Sequence, residues 1–355
     1  MLKNRIFFRR IDAVNYLEYF LVSAISAVLV IRLFLELTGY PQIGGDTLHI
    51  AHMLWGGLLM LISLFLLLSF IGRAIENISS IIGGIGFGTF IDEIGKFITQ
   101  DNDYFFQPSV ALIYLVFILI YLVIRAIHRR SEYSSQEYLL NALREIEELA
   151  INDLDTEEKK RAVDYLEKSG YQAPLAESIK KVLMETEDRS IPPDNLYQKT
   201  KAYIQSVYQK IAALPAFTYA IIAFFLFQFI TQFLFIIILI FFKGMGWEKI
   251  VNLQIFQDVI NKSGRLSFVE GAEILSAFVS GIFTFLGIWL IPKSRIKAYR
   301  MFERSILISI FVTQVFVFYK EQFGALVGLI LNIIILLGVQ FMISRESKTK
   351  PPINS

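Results

Sequence analysis

Along most of the chain, apolar residues come in long blocks separated by short charged clusters. A bilayer hydrocarbon core of roughly 30 Å takes about 20 residues of helix. Blocks at 16–38, 49–72, 78–98, 105–127, 216–242, 268–291, 303–320 and 323–343 suit that length and predict eight transmembrane helices in two groups of four. The third block is the least hydrophobic and the seventh is short.

Between 131 and 214 the pattern changes to charged, amphipathic sequence. Ser134 with Glu137 has capping-box spacing, and Leu139, Leu143, Ile146 and Ala150 then recur at helical intervals. Asp155 with Glu158 starts a second helix, and Gly170 suits its left-handed stop. Pro174 opens a third. Pro193 precedes a fourth, which leads into the membrane at Pro215. The expected fold is therefore an all-α polytopic membrane protein. Residues 1–130 form a first four-helix unit, 131–214 a cytoplasmic helical insert, and 215–355 a second four-helix unit.

Composition agrees with this reading. Charged residues make up 19% of the chain, against about 25% in soluble domains, and they concentrate between the apolar blocks. A net charge of +2 gives no basic surface for nucleic acid. The absence of cysteine excludes disulfides and thiol chemistry. No Walker phosphate loop or dinucleotide fingerprint occurs, so ATP bound to this chain is not expected to drive it.

Lys and Arg set the orientation. One side of the membrane collects Lys3, Arg5, Arg9 and Arg10, then Arg73, Arg125, Arg129 and Arg130. Lys293, Arg295, Lys297, Arg300 and Arg304 follow, then Arg345, Lys348 and Lys350. The opposite side has none between Thr38 and Leu48. Both termini are expected in the cytoplasm. The stretch Leu17 to Leu37 contains Glu18, Arg32 and Glu36, which marks an uncleaved first helix rather than a signal peptide. Arg9-Arg10 reads as a topology signal. With no eukaryotic targeting feature, a bacterial inner membrane is the expected location.

The two groups carry signs of a weak duplication. In each, the second span opens with polar residues: Asp46, His49 and His52 in one, Glu270 and Glu273 in the other. In each, the third span closes with mixed charge: Asp92, Glu93 and Lys96, against Lys320 and Glu321. Such a repeat would be parallel, with its axis along the membrane normal.

Candidate chemistry lies at one depth. Arg32 and Glu36 sit near the outer end of span one, Asp46, His49 and His52 at the start of span two, and Asp92, Glu93 and Lys96 at the end of span three. A charge at mid-membrane costs about 2.5–3.5 kcal/mol on insertion scales, so such residues turn toward protein or water. His49, His52 and Gly56 share a helix face, while Ser80, Gly84 and Gly88 form a small-residue ridge leading to Asp92.

Three readings fit these residues. One is a structural ion network, in which Arg32 balances Glu36 and Lys96 balances Asp92. The second is an outward-facing site in an ion- or proton-coupled secondary transporter. There His49 and His52 bind proton or ligand, Asp92 and Glu93 accept, and Lys96, Arg32 and Glu36 set the charge. The third is a zinc or iron site for an intramembrane hydrolase, built from His49, His52, Asp46, Asp92 and Glu93. H-E-x-x-H is absent, so no established zinc motif supports that last reading. The transporter is the reading carried forward, with the bilayer and a small ion or molecule as partners. A scaffold docking a soluble protein on 131–214 is a further alternative.

Overall fold

A computed structural model describes residues 7–39, 52–94, 108–128, 133–150, 155–171, 174–185, 196–244 and 267–349, and these are helices joined by short turns. The chain divides into two compact units, Met1–Phe106 with Leu115–Asp194, and Gln107–Tyr114 with Asn195–Ser355.

The first unit is built on α1 (Ala13–Thr38), α2 (His52–Ser69) and α3 (Arg73–Asp92). α1 stops at Gly39, which takes a left-handed conformation and donates its N–H to Leu35 O. α2 and α3 are joined by a short turn through Gly72, at φ 118°. α3 lies between the other two because glycine removes its side chains on both flanks. A Cβ at Gly88 would stand 2.2 Å from Ala24 O, and one at Gly84 2.3 Å from Phe20 O, both on α1. Toward α2, a Cβ at Gly86 would meet Gly56 O at 2.8 Å. Backbones this close are the contact small residues permit where no hydrophobic effect drives helices together.

α4 (Pro108–His128) follows, with its first residues assigned to the second unit. Then come α5 (Ser135–Ala150), α6 (Thr156–Ser169) and α7 (Pro174–Glu185), whose small core is Ala142, Ala162, Leu166 and Leu183. Both expected capping boxes form, at Ser134/Glu137 and Asp155/Glu158. Gly170 is left-handed, at φ 62°. The buried face of α5 differs from the expected one. Leu139 and Ile146 pack inward, but Leu143 is exposed and Ala142 takes the inner position. The short alanine lets α6 approach, which leucine would prevent.

In the second unit, α8 (Leu196–Ala213) and α9 (Pro215–Gly244) precede α10 (Phe268–Leu290) and α11 (Arg295–Ile308). A π-helical turn at Ser309–Thr313 continues into α12 (Gln314–Glu321). A 3-10 turn, Gln322–Ala325, leads into α13 (Leu326–Thr349). Gln322 has φ 49°, and there the chain reverses. Gln340 reaches Glu303, Asn332 reaches Ser309 and Gln314 donates to Ala325 O, so paired positions converge on the turn as in an antiparallel hairpin. Phe225 stacks on Phe302 at 4.3 Å inside a core that includes Ile306, Val339 and Met342. Hydroxyls bridge α10 to α11: Ser280 and Thr284 each lie 2.8 Å from Ser305 Oγ. Each buried hydroxyl thereby has the partner that lipid could not supply.

Six helical stretches are long and apolar enough to cross a membrane: Ala13–Thr38, His52–Ser69, Arg73–Asp92, Pro108–Ile127, Phe268–Leu290 and Arg295–Ser347. A seventh results if the pair Lys199–Ala212 and Ala216–Gln228, bent by 81°, is one span. The protein is thus a multi-pass candidate with six to seven spans among the described residues. α3 starts earlier than the 78–98 block, because its polar first turn is also helical, and residues 95–98 of that block lie outside the described residues.

Candidate functional site

α1 brings Arg32, the start of α2 brings His52, and the end of α3 brings Asp92 and Glu93 to one end of the three-helix bundle. Asp92 is completely buried and Glu93 nearly so, at 0% and 2% exposure. Arg32 Nε donates to Asp92 Oδ1 at 2.7 Å, and its Nη2 to the Asp92 carbonyl at 2.9 Å. Two donations from one guanidinium hold both the side chain and the backbone at the end of α3. Breaking such a buried pair by removing one partner typically costs about 3–5 kcal/mol, because the remaining charge is stranded.

Glu93 plays a second part. Its Oε2 accepts from the backbone N–H of Met53 at 2.9 Å, in the first turn of α2. Through this bond Glu93 ties the end of α3 directly to the backbone of α2.

His52 lies between the two carboxylates. Its Nε2 is 3.4 Å from Asp92 Oδ2, and its Nδ1 is 3.5 Å from Glu93 Oε2. Nε2 is buried and makes no hydrogen bond among the described residues. A neutral imidazole carries one N–H, so one of its nitrogens presents a lone pair to a carboxylate; an imidazolium presents a donor to each.

Of the residues singled out from sequence, Arg32, His52, Asp92 and Glu93 come together. Glu36 lies one turn beyond Arg32 on α1 and is exposed, and Arg32 turns to Asp92. Asp46, His49 and Lys96 lie outside the described residues. Among the described residues no three His or carboxylate groups are placed to hold a metal ion. Two of the five groups in the metal reading, Asp46 and His49, fall outside that comparison.

A second ionic cluster occupies the other end of the bundle, about 30 Å away along α3 at 1.5 Å per residue. Arg73, at the start of α3, pairs with Glu145 at 2.6 Å and with Glu158. Arg10 joins Asp12 and Glu76, and Arg144 also reaches Glu76. Arg9 donates to Glu137 from both its backbone N, at 3.0 Å, and its Nε, at 2.8 Å. The Arg9 hydrogen bond outweighs burial and pushes the Glu137 carboxyl down to about 2, while Glu137 in turn raises the Arg9 guanidinium. Asn141 adds bonds to Ile11 N and Arg9 O. The sequence showed Glu137 and Glu158 only as capping residues and Arg9-Arg10 only as a topology signal. Their joint role has no local signature, since the partners are far apart in the chain.

No protein-family model matches the chain, and no curated protein or solved structure is significantly similar to it.

Proposed function

We propose that this protein is an ion- or proton-coupled secondary transporter whose coupling site is the Arg32–His52–Asp92–Glu93 cluster. The observation carrying this reading is His52, set with one ring nitrogen against each of two buried carboxylates. Taking up a proton turns a ring that can serve one carboxylate into one that serves both, so protonation tightens the joint between the starts of α2 and the end of α3. Losing it loosens that joint. Intramembrane ionisable groups arranged this way commonly line ion pathways. Arg32 keeps the end of α3 anchored to α1 in either state.

In this reading the outer surface lies at the His52 end and both termini are cytoplasmic, as the Lys and Arg bias requires. The count is eight spans. The Arg295–Ser347 stretch is a hairpin and contributes two, and α9 crosses by itself. The second unit repeats one feature of the first: Glu273, in the first turns of α10, pairs with Lys320 at the end of α12, at 3.0 Å. That supports a 4+4 repeat in which, within each half, opposite charges join the start of the second span to the end of the third.

The test needs no substrate. Proteoliposomes on a solid-supported membrane should show a transient charge displacement after an external pH jump. Asp92→Asn and His52→Gln should abolish it without loss of folded protein. A wild-type protein that moves no charge rules the reading out. Retention of about one zinc or iron per purified chain, lost in His49→Ala, would instead favour the metal-site alternative.

A further inference from the structure

α8 carries Lys199, Lys201 and Lys210 and no acidic residue. At about 100° per residue, Tyr203, Val207, Ile211, Ile204 and Tyr208 fall within one arc of about 140°. Lys199 and Lys210 stand on one edge of that arc and Lys201 on the other. Gln205, Gln209 and Ser206 lie opposite. The apolar arc is largely unused for packing: Tyr203 is 70% exposed, Ile204 61% and Ile211 47%. Among the described residues, the contacts of this arc lie on its Lys201 edge. Tyr208 donates to Ile334 O on α13 at 2.9 Å and meets Phe217 edge-on, while Ala212 beside it is fully buried.

α8 meets α9 at 81°. α9 has 30 residues and so extends about 45 Å, longer than the roughly 30 Å hydrocarbon core. It needs no help from α8 to cross. A helix at right angles to the end of a complete span runs parallel to the membrane surface.

We propose that α8 lies in the membrane plane, its apolar arc in the acyl boundary and its lysines on the headgroups of anionic lipids. Lysines on both edges of an apolar face are placed to lay their stems along the acyl chains and lift their ammonium groups to phosphate. With three lysines and no acid, the helix itself is attracted to a negative surface, most strongly to an anionic leaflet. The hairpin core holds the Tyr208 edge, which fixes the roll of α8 and turns Tyr203, Ile204 and Ile211 toward lipid. This placement uses the multi-pass character of the chain and is independent of the coupling reaction.

The chain has no cysteine, so each introduced cysteine is unique. The experiment places nitroxides at Ile204→Cys, Ile211→Cys, Gln205→Cys and Gln209→Cys in the full-length protein. The protein is held in nanodiscs of phosphatidylcholine, with or without one part in three (roughly the anionic range of natural leaflets) of phosphatidylglycerol. Labels at 204 and 211 should collide with oxygen in preference to a water-soluble nickel chelate. Labels at 205 and 209 should show the reverse preference. Replacing all three lysines with glutamine should reduce the contrast in the anionic discs to that in the neutral ones. Four water-exposed labels would overturn the proposal, as would four lipid-exposed labels, the mark of a broken span. Labels at 204 and 211 shielded from both reagents would show a protein partner on the arc, and a contrast indifferent to lipid charge and to the lysines would remove the anionic-lipid component.

Discussion

Glu137 shows how one carboxylate can hold distant parts of the chain together. It closes the capping box of α5 by accepting from Ser134 N at 2.8 Å, and it receives Arg9 through backbone and side chain. Its carboxyl is held at about 2, below the ordinary glutamate value of about 4.3. A folded-state value below the unfolded one means the stabilisation is complete above the unfolded value and is lost as pH falls toward the folded one. Glu137→Gln should therefore lower the Tm of the solubilised protein at neutral pH, by an amount equivalent to about 1.5–3 kcal/mol for a lost charge-assisted bond. The difference from wild type should shrink steadily between about pH 4 and about pH 2. Melting curves across that range decide it, and a gap that stays constant would mean that Arg9 does not recognise the charge.

At the scale of the element, α3 depends on what it lacks. Gly84 and Gly88 sit against the α1 backbone, and a single methyl at either would overlap a carbonyl oxygen that belongs to a helix and cannot step aside. Gly57 on α2 has nothing within 4 Å of where its Cβ would stand. Alanine has the better helix propensity, by about 0.8–1.0 kcal/mol, so Gly57→Ala should leave stability unchanged or slightly improved. Gly88→Ala should destabilise by about 1–3 kcal/mol, the usual range for overpacking, and should also disturb the nearby Arg32–Asp92 joint. Thermal denaturation of the two variants side by side measures the contrast; equal behaviour would refute the close-packed geometry. The spacing of these glycines and the approach of Gly56 were readable from sequence. Which helix each would meet was not.

For the whole molecule, the testable quantity is topology. The proposed topology puts Gly72 and Lys293 on the side of the termini and Gln322 on the other. In a chain without native cysteine, membrane-impermeant thiol reagents should label Gly72→Cys and Lys293→Cys only from the cytoplasmic side. Gln322→Cys should react only from outside. Labelling of all three from one side would remove the eight-span arrangement and, with it, the outward-facing site. Cleavage or truncation is not needed, since each position lies in or beside a turn.

Sequence by itself determined the all-helical class, the apolar stretches, the capping boxes and the glycine stop of α6. These depend on local chemistry: a span needs a run of apolar residues, and a cap needs a partner three positions away. It also named Arg32, His52, Asp92 and Glu93 as residues of one level, because helix length fixes depth. Only the tertiary structure decided that Arg32 turns to Asp92 rather than Glu36, that Glu93 accepts from the Met53 N–H of α2, and that Ala142 rather than Leu143 faces inward. It alone showed that Arg9, Arg73 and Arg144 tie the start of α1 and α3 to the helices at 135–169. Those pairings join residues up to 128 positions apart, and a charge carries no mark of which opposite charge the fold will bring beside it.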